Sequence, residues 1–401
     1  MKNGAIAIFF DRLGPYHWAR LRAAARLFRV VAVETCAVTR EYQWESIEEP
    51  GAFERVTLVD DVSDGRRLKR ALLRQRIAKV LREVDPAVAL IPGWATPASL
   101  IALEWCLRNQ RPAVVMSESN AFDEKRYALA ELIKRIVVSL FSAGLAGGQL
   151  QKEYLITLGL PSNHVFTGYD VVDNDYFATN AAHVRENRTA FRRELSLPEN
   201  YFLASARFVP KKNLRRLMEG FACYRNLAAP NHWKLVLLGD GPLRPELVTL
   251  RRKLHLDNDI LMRGFIQYRD LPAYYALASA FVHASTTEQW GLVVNEAMAT
   301  GLPLIVSNRC GCVPDLVAEG KNGFTFNPES VEELGKLMVD VSRFSDRRLE
   351  EMRAESRRIV AGFTPTHFAT AAQHAIDVAK APPIYRATPF SSLLLKALIY
   401  R

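Results

Sequence analysis

The sequence predicts an α/β protein made of two doubly wound domains in tandem, facing a cleft. Three observations carry this. Short runs that are apolar throughout recur along the chain, and amphipathic helical stretches separate them. A polar, turn-rich segment, GYDVVDNDYFATN at 168 to 180, interrupts the alternation. The alternation then restarts. Strands apolar on both faces belong to a parallel sheet covered on both sides by helices. A chain of 401 residues also exceeds one ordinary core.

In the first part, strands are expected at 5–10, 30–35, 55–59, 88–91, 113–117, 143–146 and 165–167. Helical patterns fill 16–28, 66–84, 97–109 and 125–140. In the second part, strands are expected at 202–206, 234–238, 260–262, 280–283, 304–306 and 323–326. Helices fit 214–226, 242–254, 271–278, 292–299, 331–341 and 347–359. A last helical run, 366–379, precedes a Pro-containing tail. The expected division is a first domain over 1–170, a linker over 171–185 and a second domain over 186–365. Residues 366–401 are expected to pack back on the first domain.

Composition narrows the function classes. The chain is 49% hydrophobic and 24% charged, which fits a globular protein and not a disordered one. No solenoid-type repeat is visible. The first apolar run is broken by Asp11 and Arg12 and reads as a buried strand, not a leader. No run reaches the ~18 apolar residues of a membrane span. The expected location is the cytoplasm, with peripheral attachment to the inner face of the membrane. The five cysteines are scattered and odd in number, which argues against a disulfide framework. Cys310 and Cys312 lack a second ligand pair at metal spacing, so no metal site is expected.

A net charge of +10 asks for anionic partners. Residues 66 to 82, RRLKRALLRQRIAKVLR, hold eight basic residues and no acid. Leu68, Leu72, Ile77, Leu81 and Val84 recur there at helical spacing. This basic amphipathic helix reads in two ways. It packs one face on a sheet and solvates the other, or it also binds an anionic membrane surface.

Candidate chemistry gathers at the carboxyl ends of the strands, where doubly wound sheets bind ligands. RFVPKKN at 207–213 follows a strand and precedes a helix. Arg207 and Lys212 beside a helix start make an anion site that a diphosphate fits, because the helix dipole opposes bare cations there. LLGDGP at 237–242 brings Gly239 to a second edge turn, and MRGFIQY brings Gly264 to a third. HASTTEQWGLVVNEAMATG at 283–301 carries Glu288 in a loop and Glu296 within the next helix. Between them Gly291 permits close approach, and the first helical amides, near Leu292 and Val293, point at phosphate oxygens. The Glu296 side chain leans back toward the helix start. Gln289 and Trp290 are expected to shape the pocket beside Glu288. In the first domain, Gly14 and His17 follow the first strand, and Glu118 follows the strand at 113–117. His17 reads as a substrate contact or as a structural residue at a helix start.

R-F-V-P-K-K-N, L-G-D-G-P and S-x-x-E-Q-W-G-L-x-x-x-E-A-M-A-x-G-x-P, followed by GCVPDLVAEGKNGF, together resemble glycosyltransferase family 4. Its members are retaining enzymes of the GT-B type, with two Rossmann-like domains. The motifs span about 200 to 327, and the first domain resembles the family mainly in layout. The resemblance implies a nucleotide-diphosphate sugar as donor and no cofactor or metal. It implies that Arg207 and Lys212 neutralise the departing diphosphate. Glu296 would accept from ribose hydroxyls, and Glu288 would hold the donor sugar near its reacting carbon. Gly239 and Gly264 would lie beside the phosphates and base, and Gly14 would approach the diphosphate across the cleft. A glycan or lipid-linked acceptor, in polysaccharide or glycolipid synthesis, is implied as well. Gln289-Trp290 departs from the Gly-Phe that is common after the first glutamate. No catalytic histidine is carried over to the first domain.

Two other readings use the same residues. One is a non-catalytic binder of nucleotide sugars or glycans. The other is a nucleotide-sugar epimerase, which would form product without an acceptor. A nicotinamide dehydrogenase is disfavoured, since no strand runs into G-x-G-x-x-G. No nucleic acid partner is expected.

Overall fold

The computed structural model describes residues 4–37, 52–59, 70–381 and 388–400. The chain divides into two units, Asp173–Phe363 and the remainder, Met1–Val172 with Thr364–Arg401.

The first unit alternates β1 (Ile6–Phe10), α1 (Pro15–Ala24), β2 (Val30–Glu34), β3 (Glu54–Thr57), α2 (Arg70–Val84) and β4 (Val88–Pro92). It continues through α3 (Pro97–Arg108), β5 (Ala113–Ser117), α4 (Ala128–Val138), β6 (Ala143–Ala146), α5 (Gln149–Thr157) and β7 (Val165–Thr167). All seven strands are parallel, in the order β3-β2-β1-β4-β5-β6-β7. Most of these strands are wholly buried, because helices cover both faces; apolar side chains fill them, except at carboxyl ends such as Glu34, which pairs with Arg55.

The second unit holds α6 (Asn174–Glu186), α7 (Arg188–Glu194), β8 (Tyr201–Ser205), α8 (Leu214–Ala228), β9 (Lys234–Leu238), α9 (Arg244–Lys253) and β10 (Ile260–Gly264). Then come α10 (Leu271–Leu277), β11 (Ala280–His283), α11 (Leu292–Ala299), β12 (Leu304–Ser307), α12 (Val313–Leu316), β13 (Gly323–Phe326), α13 (Val331–Ser342) and α14 (Asp346–Val360). Its six strands are parallel, in the order β10-β9-β8-β11-β12-β13. The strand order reverses between β8 and β11, so the loops leaving those strands flank a topological switch point. In the first unit the corresponding point lies between β1 and β4.

After the second unit the chain returns to the first. Here α15 (Pro365–Lys380) packs on α1, β6 and β7, and α16 (Pro389–Tyr400) packs on α3 and α4. Leu395 and Ile399 of α16 enter the core of the first unit, so the stretch expected to be a tail is partly a helix. Several helices begin on a side-chain cap, as the sequence pattern asks. Thr96 caps α3, Ser330 caps α13, Ser345 caps α14 and Thr364 caps α15.

The expected linker over 171–185 is corrected. Val171 and Val172 are fully buried, and 174–186 is the helix α6 of the second unit. Asp173 caps it by accepting from the Tyr176 amide at 3.0 Å. Phe177, Ala181 and Val184 bury one face, and the Asn174 side-chain amide donates to the carbonyls of Val360 (2.8 Å) and Phe363 (3.2 Å). The run of Asp and Asn signals a turn, but only its first members serve the helix start. The basic segment of 66 to 82 is helical from Arg70 onward, and 66–69 lie outside the described residues. Among the described residues no helix is long and apolar enough to cross a membrane.

Because α6 is a packed helix, Ala182→Pro, at an exposed helix-interior position, is expected to cost about 3 kcal/mol or more. A linker would tolerate that change. Chemical denaturation of the purified variant checks it, and an unshifted midpoint would count against a packed α6.

Candidate functional site

Two loops of the second unit build the site. The first leaves β8. Phe208 is fully buried and roots it, with its amide donating to the Asp240 carbonyl at 2.8 Å. The β9 loop presses against it through two glycines in the left-handed region. A Cβ on Gly239 (φ +118°) would meet the Ala206 carbonyl oxygen at 1.9 Å, and one on Gly241 (φ +153°) would meet that of Phe208 at 2.8 Å. The Gly239 amide also donates to the Gly264 carbonyl at 2.7 Å. Gly264 ends β10 at φ +80°, after a register shift from Met262. These glycines are therefore required by loop packing, whatever else they approach.

A 3-10 turn, Pro210–Lys212, then presents two lysines. Asn213 follows in the left-handed region at φ +55° and is 7% exposed. Its side-chain amide donates to the Ala284 carbonyl (3.0 Å) and the Pro328 carbonyl (2.9 Å). The Thr286 amide donates to the Lys211 carbonyl at 2.9 Å. Asn213 and Thr286 thus stitch the β8 loop to the loop that leaves β11.

The stitching brings Glu288 to the lysines. Lys212 Nζ donates to Glu288 Oε2, and Lys211 Nζ stands 3.7 Å from Oε1. Ser285 Oγ donates to Oε2 at 3.2 Å, and His283 Nε2 lies 3.5 Å from the same oxygen. The Glu288 side chain is only 10% exposed. Burial alone would raise its pKa. The His283 hydrogen bond and the charges of Lys212 and Lys211 outweigh that and hold the carboxyl well below the usual range. Burial, with the lysine charges, lowers His283 and keeps it neutral. A carboxylate can only accept, so Nε2 carries the ring proton.

The backbone fixes the same residue. The Glu288 amide donates to the Arg309 carbonyl at 3.3 Å, and its carbonyl accepts from the Gly311 amide at 3.0 Å. Cys310 and Cys312 beside it are buried free thiols, and burial pushes both pKa values up. Gly291 at φ +111° turns the chain into α11. As a glycine it offers no side-chain cap, so the first amides of α11 are available in principle to an anion. Leu292 and Val293 are half-buried at that turn. Arg207 is exposed on the β8 loop.

Two expectations sharpen. Trp290, expected to shape the pocket beside Glu288, packs inward: it is 1% exposed, its Nε1 donates to Asn295 Oδ1 at 2.8 Å, and its ring lies 6.1 Å from that of Phe363. The apolar size of Trp there serves the core. Glu296 is 1% exposed and accepts from the Tyr275 hydroxyl at 2.6 Å. Burial, then the Glu296 charge, raises Tyr275 well above its usual pKa, so the phenol remains a donor. Glu296 is thus held rigid inside the second unit. The motif reading missed His283, Ser285, Asn213 and Tyr275. His283 and Ser285 belong to the same 283–301 segment as Glu288, at the carboxyl end of β11. Tyr275 lies on another helix, and sequence spacing could not reveal it.

Gly14, His17 and Glu118 belong to the first unit. Gly14 caps α1, and its amide donates to His17 Nδ1 at 3.1 Å. The His17 ring lies 4.4 Å from that of Phe10. Burial, then the Arg20 charge, lowers the His17 pKa to about 3. His17 thus has a structural task in the cap. Glu118 follows β5 and neighbours the fully buried Asp170, which burial and the Glu118 charge push up and Arg20, at 3.6 Å, pulls down.

Two Rossmann-like units with ligand-type loops at a switch point define the GT-B class. Solved structures agree over nearly the whole chain. Anabaena HepE in complex with UDP and glucose superposes with a TM-score of 0.71 at 18% identity, covering 93% of this chain and 99% of that one. A trehalose-6-phosphate structure from E. coli, bound with UDP-2-fluoro glucose, superposes at 0.73 and 11% identity, covering 95% and 100%. Residues 187–357 match the family model of glycosyl transferases group 1. Among curated relatives, an alpha-monoglucosyldiacylglycerol synthase of Acholeplasma laidlawii is 34% identical over 164 residues, 40% of each chain. A sulfoquinovosyl transferase of Arabidopsis thaliana is 40% identical over 103 residues, 25% of this chain and 19% of that one. The matched part therefore spans less than half of these relatives' length.

A pH prediction follows from His17. The unfolded chain takes up a proton near the usual 6.5, whereas the folded chain waits until about 3. Stability therefore falls as pH drops below 6.5. His17→Asn keeps an acceptor for the Gly14 amide and removes the titration. Its melting temperature should decline less than wild type between neutral and mildly acidic pH, measured by calorimetry. Parallel declines would show that His17 is not held neutral.

Proposed function

We propose that the chain is a retaining glycosyltransferase. It moves a sugar from a nucleotide-diphosphate sugar to a glycan or lipid-linked acceptor, in cell-surface polysaccharide or glycolipid synthesis. The observation that carries this is the Lys212–Glu288 pair, fixed at a switch-point edge beside the first turn of α11. Such an arrangement suits a ligand with a sugar at one end and a diphosphate next to it.

In this reading Lys212 and Arg207 hold the diphosphate. An ammonium has three donors, so pairing with Glu288 leaves Lys212 capacity for phosphate oxygens. The amides of Leu292 and Val293 add two dipoles, and Gly239, Gly264 and Gly291 allow close approach. As the bond between the sugar's anomeric carbon and the phosphate oxygen breaks, charge grows on that oxygen, and the cations stabilise it. The acceptor hydroxyl attacks from the face that the phosphate leaves. Its proton passes to the departing phosphate. Glu288 is a fixed anion beside the developing positive charge on the sugar, and Glu296 takes the ribose hydroxyls. No metal is needed, since the cations do the work of a divalent ion. His17 and Glu118 lie on the acceptor-side edge of the first unit. The basic face of α2 draws the protein to the anionic inner face of a membrane.

The test is incubation with a panel of nucleotide sugars and lipid or glycan acceptors, reading nucleoside diphosphate release and anomeric configuration. Lys212→Ala and Glu288→Gln should each lower kcat on the order of 10²–10³-fold with the fold retained by circular dichroism. No release with any donor and acceptor would overturn the reading. An epimer formed without acceptor would replace it.

A further inference from the structure

Ten large apolar side chains stand exposed among the described residues, and eight of them lie in one region of the first unit. Leu72 is on α2. Phe122, Tyr127, Leu129 and Leu132 are on α4 and the segment leading into it. Phe390, Leu393 and Tyr400 are on α16. These helices are neighbours: α2 packs on α3, α16 packs on α3 and α4, and the Arg74 guanidinium covers the Tyr400 ring at 5.6 Å.

The exposure has a pattern. On α16, Ser391, Leu395 and Ile399 face inward. Phe390, Leu393, Ala397 and Tyr400 form a second stripe, at steps of three and four, and all four are exposed. On α4, Leu129 and Leu132 repeat this spacing at 71% and 53% exposure. A helix with apolar stripes on opposite sides needs a second apolar medium. Burying both faces within one domain requires a partner element, and these outer stripes are exposed.

The charges around the stripes are basic. α2 carries five cations and one acid, and Arg76, Lys79 and Arg82 are on its exposed face. Its acid, Glu83, stands 3.9 Å from Lys79. α16 has Lys396 and no acid. On and before α4, the three acids Asp123, Glu124 and Glu131 are paired with Arg126 and Lys134. Arg135 is exposed beside them. Apolar stripes flanked by cations match the interface of an anionic bilayer, where apolar side chains enter the acyl boundary and cations meet headgroups.

We propose that the outer stripes of α16 and α4 insert into an anionic lipid surface, with the basic face of α2 resting on the headgroups. This deepens the peripheral attachment suggested above. It rests on that attachment and not on the transferase chemistry.

Vesicle flotation tests it, using phosphatidylcholine alone and phosphatidylcholine with phosphatidylglycerol. Three variants are compared: Phe390→Ser with Leu393→Ser, Leu129→Ser with Leu132→Ser, and Lys79→Glu with Arg82→Glu. Each should lower partition onto anionic vesicles by roughly tenfold or more. High salt should weaken wild-type binding without abolishing it, since the apolar part is not screened. All the altered side chains are exposed, so unchanged melting temperatures serve as the control. If both serine pairs bind like wild type and only the charge reversal fails, insertion is overturned and α2 acts alone. If the serine pairs instead convert a lipid-free oligomer to monomer, the stripes are a self-association surface and the proposal is overturned. Donor turnover with a water-soluble acceptor should be unchanged in the serine pairs. A lack of turnover in wild type would count against the transferase reading while leaving lipid binding to be judged by itself.

Discussion

Much of the second unit is organised by one electrostatic constraint: a carboxylate held nearly dry between two lysines. Glu288 and Lys212 are each only slightly exposed. Neither would be stable there alone, because an unpaired buried charge costs several kcal/mol. The pair therefore needs the two loops to stay together. The Asn213 amide, the Thr286 amide and the backbone bridge of Glu288 to Cys310 supply that. Gly239 and Gly241 let the neighbouring loop brace the first. His283 and Ser285 then satisfy the oxygen that Lys212 shares. A site assembled this way is held by its own side chains, as the proposed stabilisation of a departing diphosphate would require.

The two glutamates of the motif have different supports. Glu288 is held by cations and stays anionic. Glu296 is held by a neutral phenol on α10, within an aromatic cluster that includes Phe177 and Tyr268. Phe177 belongs to α6. The segment that enters the second unit therefore packs behind the residue proposed to hold the ribose. This links the start of the unit to its site through side-chain packing.

The α/β class and most strands were legible because a buried parallel strand is apolar along most of its length, and such runs are short and sharply bounded. The tight turns at those strand ends were legible from their glycines, which loop packing itself requires at Gly239 and Gly241. The helix α6 was not, since Asp173, Asn174 and Asp175 signal a turn more strongly than Phe177, Ala181 and Val184 signal a helix. Trp290 misled because an aromatic in a ligand loop is read as a wall. Its contact with Asn295 arises only once α11 has formed. Tyr275 and Asn213 act across elements, so their partners depend on the fold.

The return of α15 and α16 to the first unit has a consequence for synthesis. The second unit is one continuous stretch, and its core can close as soon as that stretch has left the ribosome. The first unit cannot: Leu395 and Ile399 belong to its core, and α15 lies against α1, β6 and β7. The half made first is thus completed last. Until then, the apolar surface of its sheet and helices that α15 and α16 cover has no partner. That interval is when a chaperone would have most to bind, and when a chain cut short after the second unit would be most prone to aggregate.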